Sequence, residues 1–402
     1  MTTVAEHQAA VRALIASHWR PMTEQVPTGA ALGRVLAADV TSPIDLPPFD
    51  NSQMDGYAVR AADSDGLGEA STGRSLRITG HIAAGDPIRQ LEDGAAAIMT
   101  GAPLPLGADA VVPVEAVGRP GEFAAVGDAI ELRAQIEPGA FVRPRGSDLA
   151  AGGVLLTAGT ALGPAQLGAL AASGVTTVPV RARPRVLVIS TGAELAEPGE
   201  PLRPGAIYDA NAVSLSAAIT LAGGVALATG VYSDDPGHLR MALEAAGPVE
   251  LVVTSGGVSA GAHEVVRDTL APLGLTFDSV AVQPGGPQGL GAITVSGFPT
   301  PVLCFPGNPV SALVSFELFL RPLLRGPRPV LRLPLAASLD SPVAKHQVRR
   351  GRITADQTVE LVGGPSSHLL AAYARSDALV QVPVGVDHLD AGESVEVWRI
   401  DE

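Results

Sequence analysis

The sequence predicts a multidomain protein that combines an α/β domain with β-rich domains. Three observations support this fold class. Strand-like and helix-like segments alternate between residues 183 and 328, which is typical of a mainly parallel sheet. Short alternating patterns separated by Gly and Pro fill residues 45–144 and return over 329–402, where a small β-barrel or sandwich is expected. The chain has 402 residues, enough for roughly two to four domains with cores of their own.

Helical patterns appear at the N-terminus and again after the first β-rich stretch. Apolar residues lie near one face of a helix over residues 4–18, and Pro21 ends that pattern. A second short helix is expected over about 28–39. Residues 163–174 are predicted to form a further helix, with Gly174 as its stop signal.

Within the first β-rich stretch, the clearest strand pattern lies near its end. Apolar and polar residues alternate from Ile130 to Ile136. This alternation predicts a strand with one buried face and one solvent-facing face.

The segment 183–328 shows the strongest order of strands and helices. Residues 185–190 form a largely apolar run, which suits a strand that is buried on both faces of a sheet. Asp234, Asp235 and Pro236 provide acids and a proline for the first turn of a helix. Helices are expected on both faces of the sheet. The remaining elements predicted in this segment are strands at 225–231, 251–254 and 302–305, and helices near 211–222, 263–272 and 309–324.

Composition and charge argue against several classes of protein. The formal net charge is −14 and the basic residues form no long run, so no nucleic-acid partner is expected. A single cysteine, Cys304, excludes an internal disulfide and a cysteine-ligated metal cluster, and it fits a reducing compartment. A single lysine, Lys345, argues against Schiff-base chemistry. The eight histidines show no close pair at metal-ligand spacing.

Hydropathy gives no indication of a membrane protein. No stretch of about 18 consecutive apolar residues is present, so no membrane partner is expected. The N-terminal residues lack the basic and apolar regions of a signal peptide. We therefore expect a soluble cytoplasmic protein.

Glycine-rich loops follow three of the predicted strands, at residues 190–195, 254–261 and 305–311. Each combines glycine with hydroxyl or amide groups beside the start of a helix. Ligands of open α/β sheets bind outside the carboxyl ends of the strands, and such loops can present main-chain N–H groups to an anion. The alternative is that the glycines only make tight turns between strand and helix.

Carboxylates accumulate at the same edge of the predicted sheet. A hard cation such as Mg²⁺ prefers a few carboxylate oxygens together with substrate phosphates. Asp234 or Asp235 could instead cap a helix, and Asp209 could shape a turn. Glu194 lies inside a glycine loop without an evident capping role. The residues of this group are Glu194, Asp209, Asp234, Asp235 and Glu264.

Five motifs in a fixed order carry a resemblance to a known family. Together they resemble the signature of the molybdopterin molybdenumtransferases, the MoeA family, which also includes the E domain of gephyrin. The resemblance covers nearly the whole chain. The motifs are Asp50-Asn-Ser-Gln-Met-Asp-Gly-Tyr-Ala-Val59, Ile98-Met-Thr-Gly-Ala-Pro103, Ser190-Thr-Gly-Ala-Glu194, Ser255-Gly-Gly-Val-Ser259 and Pro306-Gly-Asn-Pro-Val-Ser311.

The resemblance implies an activity and an architecture. Members insert molybdate into adenylylated molybdopterin with Mg²⁺ and release AMP, which forms the molybdenum cofactor. The family forms homodimers whose cleft lies between the α/β domain of one subunit and the β domain of its partner. Other proteins of molybdenum-cofactor biosynthesis are further expected partners. The implied domains are a split linker domain (1–44 and 145–182), a β-rich domain (45–144), a three-layer molybdopterin-binding α/β domain (183–328) and a C-terminal β domain (329–402).

The resemblance also implies a set of site residues. The expected catalytic residues are Asp55, Thr100, Glu194 and Asp234, and the expected Mg²⁺ ligands are Glu194 and Glu264. The sequence leaves open whether Asp234 or its neighbour Asp235 faces the metal. The expected substrate-binding residues are Ser190, Gly192, Ser255, Gly256, Gly257, Ser259, Gly261, Gln283, Pro306, Gly307, Asn308 and Arg350.

Two departures from the family pattern keep other functions open. Gln283 and Gly286 stand where many relatives have lysine in one or both positions, and Ala371-Ala372 replaces a serine-containing pair. They keep open a non-catalytic scaffold of the same family. A molybdopterin adenylyltransferase is a second alternative, because the resemblance implies that this enzyme shares the α/β domain.

Overall fold

The structure is a computed structural model, and it describes residues 1–19, 21–68, 72–117, 122–259 and 264–401. The chain folds into two compact units. The β unit is Thr23–Arg181, and the α/β unit is Met1–Met22 together with Ala182–Glu402. Across the described ranges, no helix is both long enough and apolar enough to cross a membrane.

The helices of the described chain are mostly short. A π-helical segment, Phe316–Leu320, joins α7 to α8 into one continuous helical stretch. Single 3₁₀ turns lie at Thr28–Ala30, Ala61–Ser64 and Ala271–Leu273. The α-helices are α1 (Val4–His18), α2 (Val114–Val117), α3 (Pro164–Ala172), α4 (Ala210–Leu221), α5 (Pro236–Ala245), α6 (Val265–Leu270), α7 (Pro309–Ser315), α8 (Arg321–Leu324) and α9 (Leu370–Tyr373).

The β unit contains a five-stranded sheet of order β7–β4–β6–β5–β8 and three two-stranded pairs, β1–β11, β2–β10 and β3–β9. In the five-stranded sheet β5 and β6 run parallel, and the other neighbours are antiparallel. The strands are β1 (Thr23–Pro27), β2 (Val40–Thr41), β3 (Asn51–Ser52), β4 (Gly56–Val59), β5 (Arg74–Ile82), β6 (Ala95–Ile98), β7 (Ala110–Pro113), β8 (Ala129–Leu132), β9 (Val142–Arg143), β10 (Val154–Leu156) and β11 (Thr177–Arg181).

The half-buried strand expected near residue 130 is confirmed, but it is shorter than predicted. In β8, Ile130 and Leu132 are buried while the residues between and before them are exposed. The strand ends at Leu132 because the chain then leaves the sheet. The main-chain N–H of Ile136 donates to the Ser64 hydroxyl at 2.8 Å rather than to a neighbouring strand.

The helix predicted over 28–39 is wrong. A single 3₁₀ turn, Thr28–Ala30, forms there. Gly33 has a φ of +72°, a left-handed conformation that interrupts a helix. Leu36 then forms an antiparallel bridge with Val180. Pairing with a distant segment therefore overrides the local helical pattern.

The α/β unit contains two larger sheets. The central sheet has the order β15–β12–β16–β20–β19–β17, and a second sheet has the order β18–β23–β25–β27–β21 with β24 paired to β23. The strands are β12 (Arg185–Thr191), β13 (Leu195–Ala196), β14 (Ile207–Tyr208), β15 (Val225–Val231), β16 (Leu251–Ser255), β17 (Thr276–Ser279), β18 (Val282–Gln283), β19 (Pro287–Val295), β20 (Phe298–Phe305), β21 (Val330–Pro334), β22 (Leu339–Asp340), β23 (His346–Ile353), β24 (Val359–Leu361), β25 (Ala378–Val382), β26 (His388–Leu389) and β27 (Ser394–Arg399).

The central sheet is mixed, with a parallel half that includes β12. The strands β15, β12, β16 and β20 are parallel neighbours, whereas β19 and β17 add antiparallel pairings. Along β12, Val186 and Val188 pack in one hydrophobic cluster with residues of α1, α4 and α7. Leu187 and Ile189 pack in a second cluster with residues of α5 and α6. Both faces of the sheet are thus covered, which explains the apolar run predicted for this strand.

The second sheet of the α/β unit takes one strand from the preceding segment. β18, residues Val282–Gln283, pairs in parallel with β23. The remaining strands come from the C-terminal part of the chain and enclose a small cluster that includes Val380 and Val397. The C-terminal strands predicted from the sequence are therefore present, and their sheet is tied to the loop that precedes β19.

Candidate active site

A cavity of about 750 Å³ opens at the carboxyl ends of β12, β16 and β20. Its size suits a small-molecule ligand, since such sites span about 300–1,000 Å³. All of its lining residues belong to the α/β unit. They are Thr191, Gly192, Glu194, Leu195, Ile207, Asn211, Asp234, Gly256, Gly257, Val258, Ser259, Glu264, Val265, Gln283, Pro284, Gly285, Pro287, Pro306, Gly307, Asn308, Pro309, Ser311, Pro365, Ser366 and Ser367.

The first glycine loop presents Glu194 to the cavity. A Cβ atom on Gly192 would lie 2.4 Å from Glu194 Oε2, so no other residue fits beneath this carboxylate without displacing it. The main-chain oxygen of Glu194 accepts a hydrogen bond from the Ile207 N–H at 2.9 Å. A larger residue at position 192 would therefore displace the Glu194 carboxylate from its present place.

The second glycine loop approaches the first loop very closely. Gly256 and Gly257 have φ values of +95° and +61°, which favour glycine. A Cβ on Gly256 would lie 2.5 Å from the Thr191 carbonyl oxygen, and a Cβ on Gly257 would lie 2.9 Å from the Val266 nitrogen. These glycines make the tight turns that the sequence analysis gave as the alternative to anion binding, and they permit close packing around the cavity.

The end of the second loop is joined to Glu264. The Ser259 N–H donates to Glu264 Oε2 at 3.0 Å, and the Arg267 guanidinium donates to the Ser259 carbonyl at 2.8 Å. Glu264 thereby shapes the loop as well as lining the cavity. Gly261, an expected substrate-binding residue, lies outside the described residues.

The third loop, residues 306–308, packs on the second. A Cβ on Gly307 would lie 3.3 Å from Gly256 Cα, so the two loops meet glycine to glycine. Asn308 occupies the N-cap position of α7 as predicted, but its side chain makes no capping hydrogen bond. Pro306, Gly307 and Asn308 all line the cavity.

The structure distinguishes the neighbouring carboxylates Asp234 and Asp235. Asp235 caps α5, because its Oδ1 accepts the Gly237 N–H at 2.8 Å. Asp234 lines the cavity, and its Oδ1 accepts the Ala193 N–H of the first glycine loop at 3.3 Å. The capping interpretation therefore applies to Asp235, and the cavity side chain is that of Asp234.

Asp209 is not part of the cavity lining. It is 2% exposed and caps α4 by accepting the N–H groups of Asn211 and Ala212 at 3.0 Å each. Of the carboxylates expected at this edge of the sheet, those that line the cavity are Glu194, Asp234 and Glu264.

The carboxylates that line the cavity are of the chemical type that binds Mg²⁺. Among the described residues, no group of three His, Cys, Asp or Glu side chains converges on one point. Mg²⁺ does not require such a cage, because it retains waters and binds through one or two carboxylates plus substrate phosphates. The donor set supplied by Glu194, Asp234 and Glu264 has that character.

Two expected substrate-binding serines are not among the lining residues. Ser190 and Ser255 are buried in β12 and β16, with exposed fractions of 0% and 1%. The Ser255 hydroxyl accepts a hydrogen bond from Asn211, whereas the Ser190 hydroxyl has no partner among the described residues. Both serines lie within the strands that end at the cavity.

Arg350 also lies behind the cavity lining. It is 2% exposed, and its guanidinium donates to the Gly364 carbonyl and, at 3.1 Å, to the Ser366 carbonyl. Burial lowers the pKa of Arg350. Because Pro365, Ser366 and Ser367 line the cavity, Arg350 supports this wall rather than facing the interior.

Asp55 and Thr100 lie together in the β unit. Asp55 Oδ1 accepts the Thr100 main-chain N–H at 2.7 Å and the Thr100 hydroxyl at 2.8 Å. These hydrogen bonds stabilise the carboxylate and lower the pKa of Asp55. Residues 45 positions apart in the sequence thus form one exposed acidic group.

Two polar residues near the cavity were missed by the sequence analysis. Asn211 lines the cavity and donates hydrogen bonds to Ser255 and Gly307. Gln347 donates to Gln283 Oε1 at 2.8 Å and so holds an expected substrate-binding side chain. The sequence did contain a signal for Asn211, because this polar residue follows the capping residue Asp209 in the first turn of a helix. That signal is the same for a residue that caps a helix and for a residue that lines a site.

The family profiles that match the chain define its class as a protein with a molybdopterin-binding domain. Residues 187–326 match a family profile described as a probable molybdopterin binding domain. Residues 2–174 match the MoeA N-terminal region, domains I and II, and residues 332–400 match the MoeA C-terminal region, domain IV.

Relatives and solved structures resemble the whole chain. The chain is 43% identical to molybdopterin molybdenumtransferase 2 of Mycobacterium tuberculosis, with 100% of both chains covered. It is 36% identical to molybdopterin molybdenumtransferase 1 of that organism, over 99% of this chain and 98% of the relative. A crystal structure of the MoeA protein of Pyrococcus horikoshii superposes with a TM-score of 0.82 at 33% identity, over 99% of each chain. The chain belongs to the MoeA family of molybdopterin molybdenumtransferases, and this family acts in molybdenum cofactor biosynthesis.

Proposed function

We propose that the chain inserts molybdate into adenylylated molybdopterin in a Mg²⁺-dependent reaction that releases AMP and forms the molybdenum cofactor. The observation that carries this proposal is the cavity in which three glycine-containing loops and three carboxylates meet at the strand ends. The names of the full-length relatives support the substrate and the reaction.

The glycine loops supply binding for phosphate groups without net positive charge. The chain has a formal charge of −14, so anion binding depends on local dipoles rather than on the overall field. The Gly256 N–H donates to the Phe305 carbonyl at 3.2 Å and the Ser259 N–H donates to Glu264, so the main-chain N–H groups that we assign to an anion are those of Gly257 and Val258 between them. The phosphoanhydride that joins AMP to the pterin is the part of the substrate assigned to this wall.

We assign the carboxylates of the cavity to the binding of Mg²⁺ beside the phosphoanhydride of the same substrate. Glu194 and Glu264 are the residues that would hold Mg²⁺, with Asp234 next to the Glu194 loop. When bound, the ion neutralises charge on the phosphoanhydride as it is cleaved. Molybdate is the second substrate and is itself an anion. The chain's own contribution is to hold these acids around the cavity on glycine loops of defined shape.

Asp55 and Thr100 are assigned to the same reaction through a homodimer. In this proposal the Asp55–Thr100 pair of one subunit completes the cavity of its partner. The hydrogen bonds from Thr100 lower the pKa of Asp55 and so favour its ionised form, which accepts hydrogen bonds. The four-domain division, the cytoplasmic location and contacts with other cofactor-biosynthesis proteins remain predictions of the same proposal.

The test uses the purified full chain with adenylylated molybdopterin, Mg²⁺ and molybdate, and measures the release of AMP. Release that requires both Mg²⁺ and molybdate, and that is lost in Glu194→Gln, is the expected result. No release above a protein-free blank rejects the proposal. Adenylylation of free molybdopterin with ATP would support the adenylyltransferase alternative. Normal molybdoenzyme activity in cells that carry Asp55→Ala and Glu194→Ala would support the scaffold alternative.

A further inference from the structure

The side chain of Asn211, near the start of α4, joins two of the cavity loops. It is 6% exposed, and its Nδ2 donates one hydrogen bond to the last residue of β16 and one to the loop after β20. One acceptor is the Ser255 hydroxyl at 2.5 Å, and the other is the Gly307 carbonyl oxygen at 2.7 Å. A single carboxamide therefore ties the end of β16 to the loop after β20.

The orientation of this carboxamide follows from its partners. The Gly307 carbonyl can only accept a hydrogen bond, so the atom that faces it must be Nδ2 rather than Oδ1. Oδ1 is buried and has no hydrogen-bond partner among the described residues. An unpaired buried acceptor is unfavourable, so the two donated hydrogen bonds must offset its cost.

The backbone of Asn211 is held as firmly as its side chain. Asp209 Oδ1 accepts the Asn211 N–H and the Ala212 N–H at 3.0 Å each, which anchors the first turn of α4. The two loops that Asn211 joins meet at Gly256 and Gly307. A shift of either loop therefore changes the part of the cavity wall that both of them form.

We propose that Asn211 is a positioning residue for the reaction proposed above. Its amide holds the Gly256–Ser259 loop and the Pro306–Asn308 loop at the separation that the phosphate-bearing part of the substrate requires. The effect on turnover rests on the proposed function, whereas the effect on the loops can be measured without substrate.

The test compares Asn211→Ala with Leu215→Ala on the same helix. Leu215 is 0% exposed in the core beneath α4 and is not among the cavity-lining residues, so its truncation weakens packing without removing a loop contact. Hydrogen–deuterium exchange of the free full-length protein should rise at 256–259 and 306–308 in Asn211→Ala. In Leu215→Ala it should stay at the wild-type level in both loops. Ser255→Ala, which keeps the bond to Gly307, should give an intermediate increase.

The AMP-release assay provides the second readout. Asn211→Ala should lower kcat/KM roughly 10- to 100-fold, mainly through a higher KM, because misplaced binding groups weaken substrate positioning. Leu215→Ala should keep the wild-type kcat/KM below its unfolding temperature. Wild-type exchange in both loops of Asn211→Ala, or equal increases in the two variants, would overturn the positioning role. If the wild type releases no AMP while the exchange result is as expected, the proposed function fails and the positioning role is supported.

Discussion

Asp55 Oδ1 receives both hydrogen bonds that Thr100 can donate, one from the main chain at 2.7 Å and one from the hydroxyl at 2.8 Å. The carboxylate belongs to the loop before β4, and Thr100 follows β6, which pairs with β4 in the same sheet. The pairing of β4 with β6 therefore brings Asp55 and Thr100 into contact, although they are far apart in the sequence. The pKa of Asp55 is lowered by these bonds, and the charge persists into mildly acidic solution.

Removing the hydroxyl of Thr100 should weaken this arrangement. Thr100→Val keeps the main-chain hydrogen bond and loses the side-chain one, so the pKa of Asp55 should rise toward its usual value. We expect AMP release to fall roughly tenfold. NMR titration of labelled aspartate carboxyl groups measures the pKa directly. Thr79→Val, in the neighbouring strand β5, is the matched control, and an unchanged Asp55 titration in Thr100→Val would contradict the prediction.

The neighbouring acids Asp234 and Asp235 should respond differently to substitution. Asp234→Asn removes a charge from the cavity, so kcat/KM should fall and the Mg²⁺ concentration for half-maximal activity should rise. Asp235→Ala removes the cap of α5, which should cost about 1 kcal/mol of stability without changing the Mg²⁺ requirement. Activity against Mg²⁺ concentration and thermal unfolding check both effects. An equal Mg²⁺ dependence in the two variants would refute the distinction.

Replacing Arg350 should disturb the cavity wall without changing the charge. Lysine cannot donate to the Gly364 and Ser366 carbonyls in the forked geometry of a guanidinium. Arg350→Lys should therefore raise proteolytic cleavage near residues 363–367 and raise KM more than it lowers kcat. Arg352→Lys is the control, because Arg352 lies in the same strand but is exposed. Equal cleavage in both variants would argue against the support role.

His7 should make the α/β unit sensitive to acid. The side chain is 3% exposed against Phe319, with ring centroids 4.6 Å apart, and burial lowers the pKa of His7 to about 4. Asp278 opposes this shift only in part. The unfolded chain binds the proton more tightly, so stability should fall as the pH decreases from about 6.5 to about 4, by at most about 3 kcal/mol.

The acid dependence can be assigned to His7 by comparison with a variant that does not titrate. The midpoint of thermal unfolding should drop less between pH 7 and pH 4 in His7→Gln than in the wild type, on the reasoning above. Other titrating groups contribute equally to both proteins and cancel in the difference. Parallel curves for the two proteins would show that His7 does not carry the effect.

Local patterns were sufficient for much of the α/β unit. The apolar run of β12, and Asp235 with Pro236 at the start of α5, each produced the expected element, because the signal and the structure lie within one segment. The same holds in the β unit for the glycine after α3. The helix expected over 28–39 failed for the opposite reason. Leu36 instead forms an antiparallel β-bridge with Val180, a residue far away in the sequence.

The candidate site likewise contains some residues that the sequence could identify and others whose position it could not predict. The sequence was sufficient to name the glycine loops and a group of five acids, of which Glu194, Asp234 and Glu264 line the cavity. It did not separate these three from Asp209 and Asp235, which cap helices. The burial of Arg350 behind the Pro365–Ser367 wall could not be read from the sequence, because it depends on how two segments of the second sheet pack.

By itself, the sequence determined the family, the order of the elements and the residue types available at the strand ends, because these are properties of contiguous motifs. Only the tertiary structure decided that Asp235 caps a helix while Asp234 faces the cavity, and that Asn211 links Ser255 to Gly307. Adjacent residues of a chain point in different directions, and hydrogen bonds between distant segments exist only after those segments have packed together.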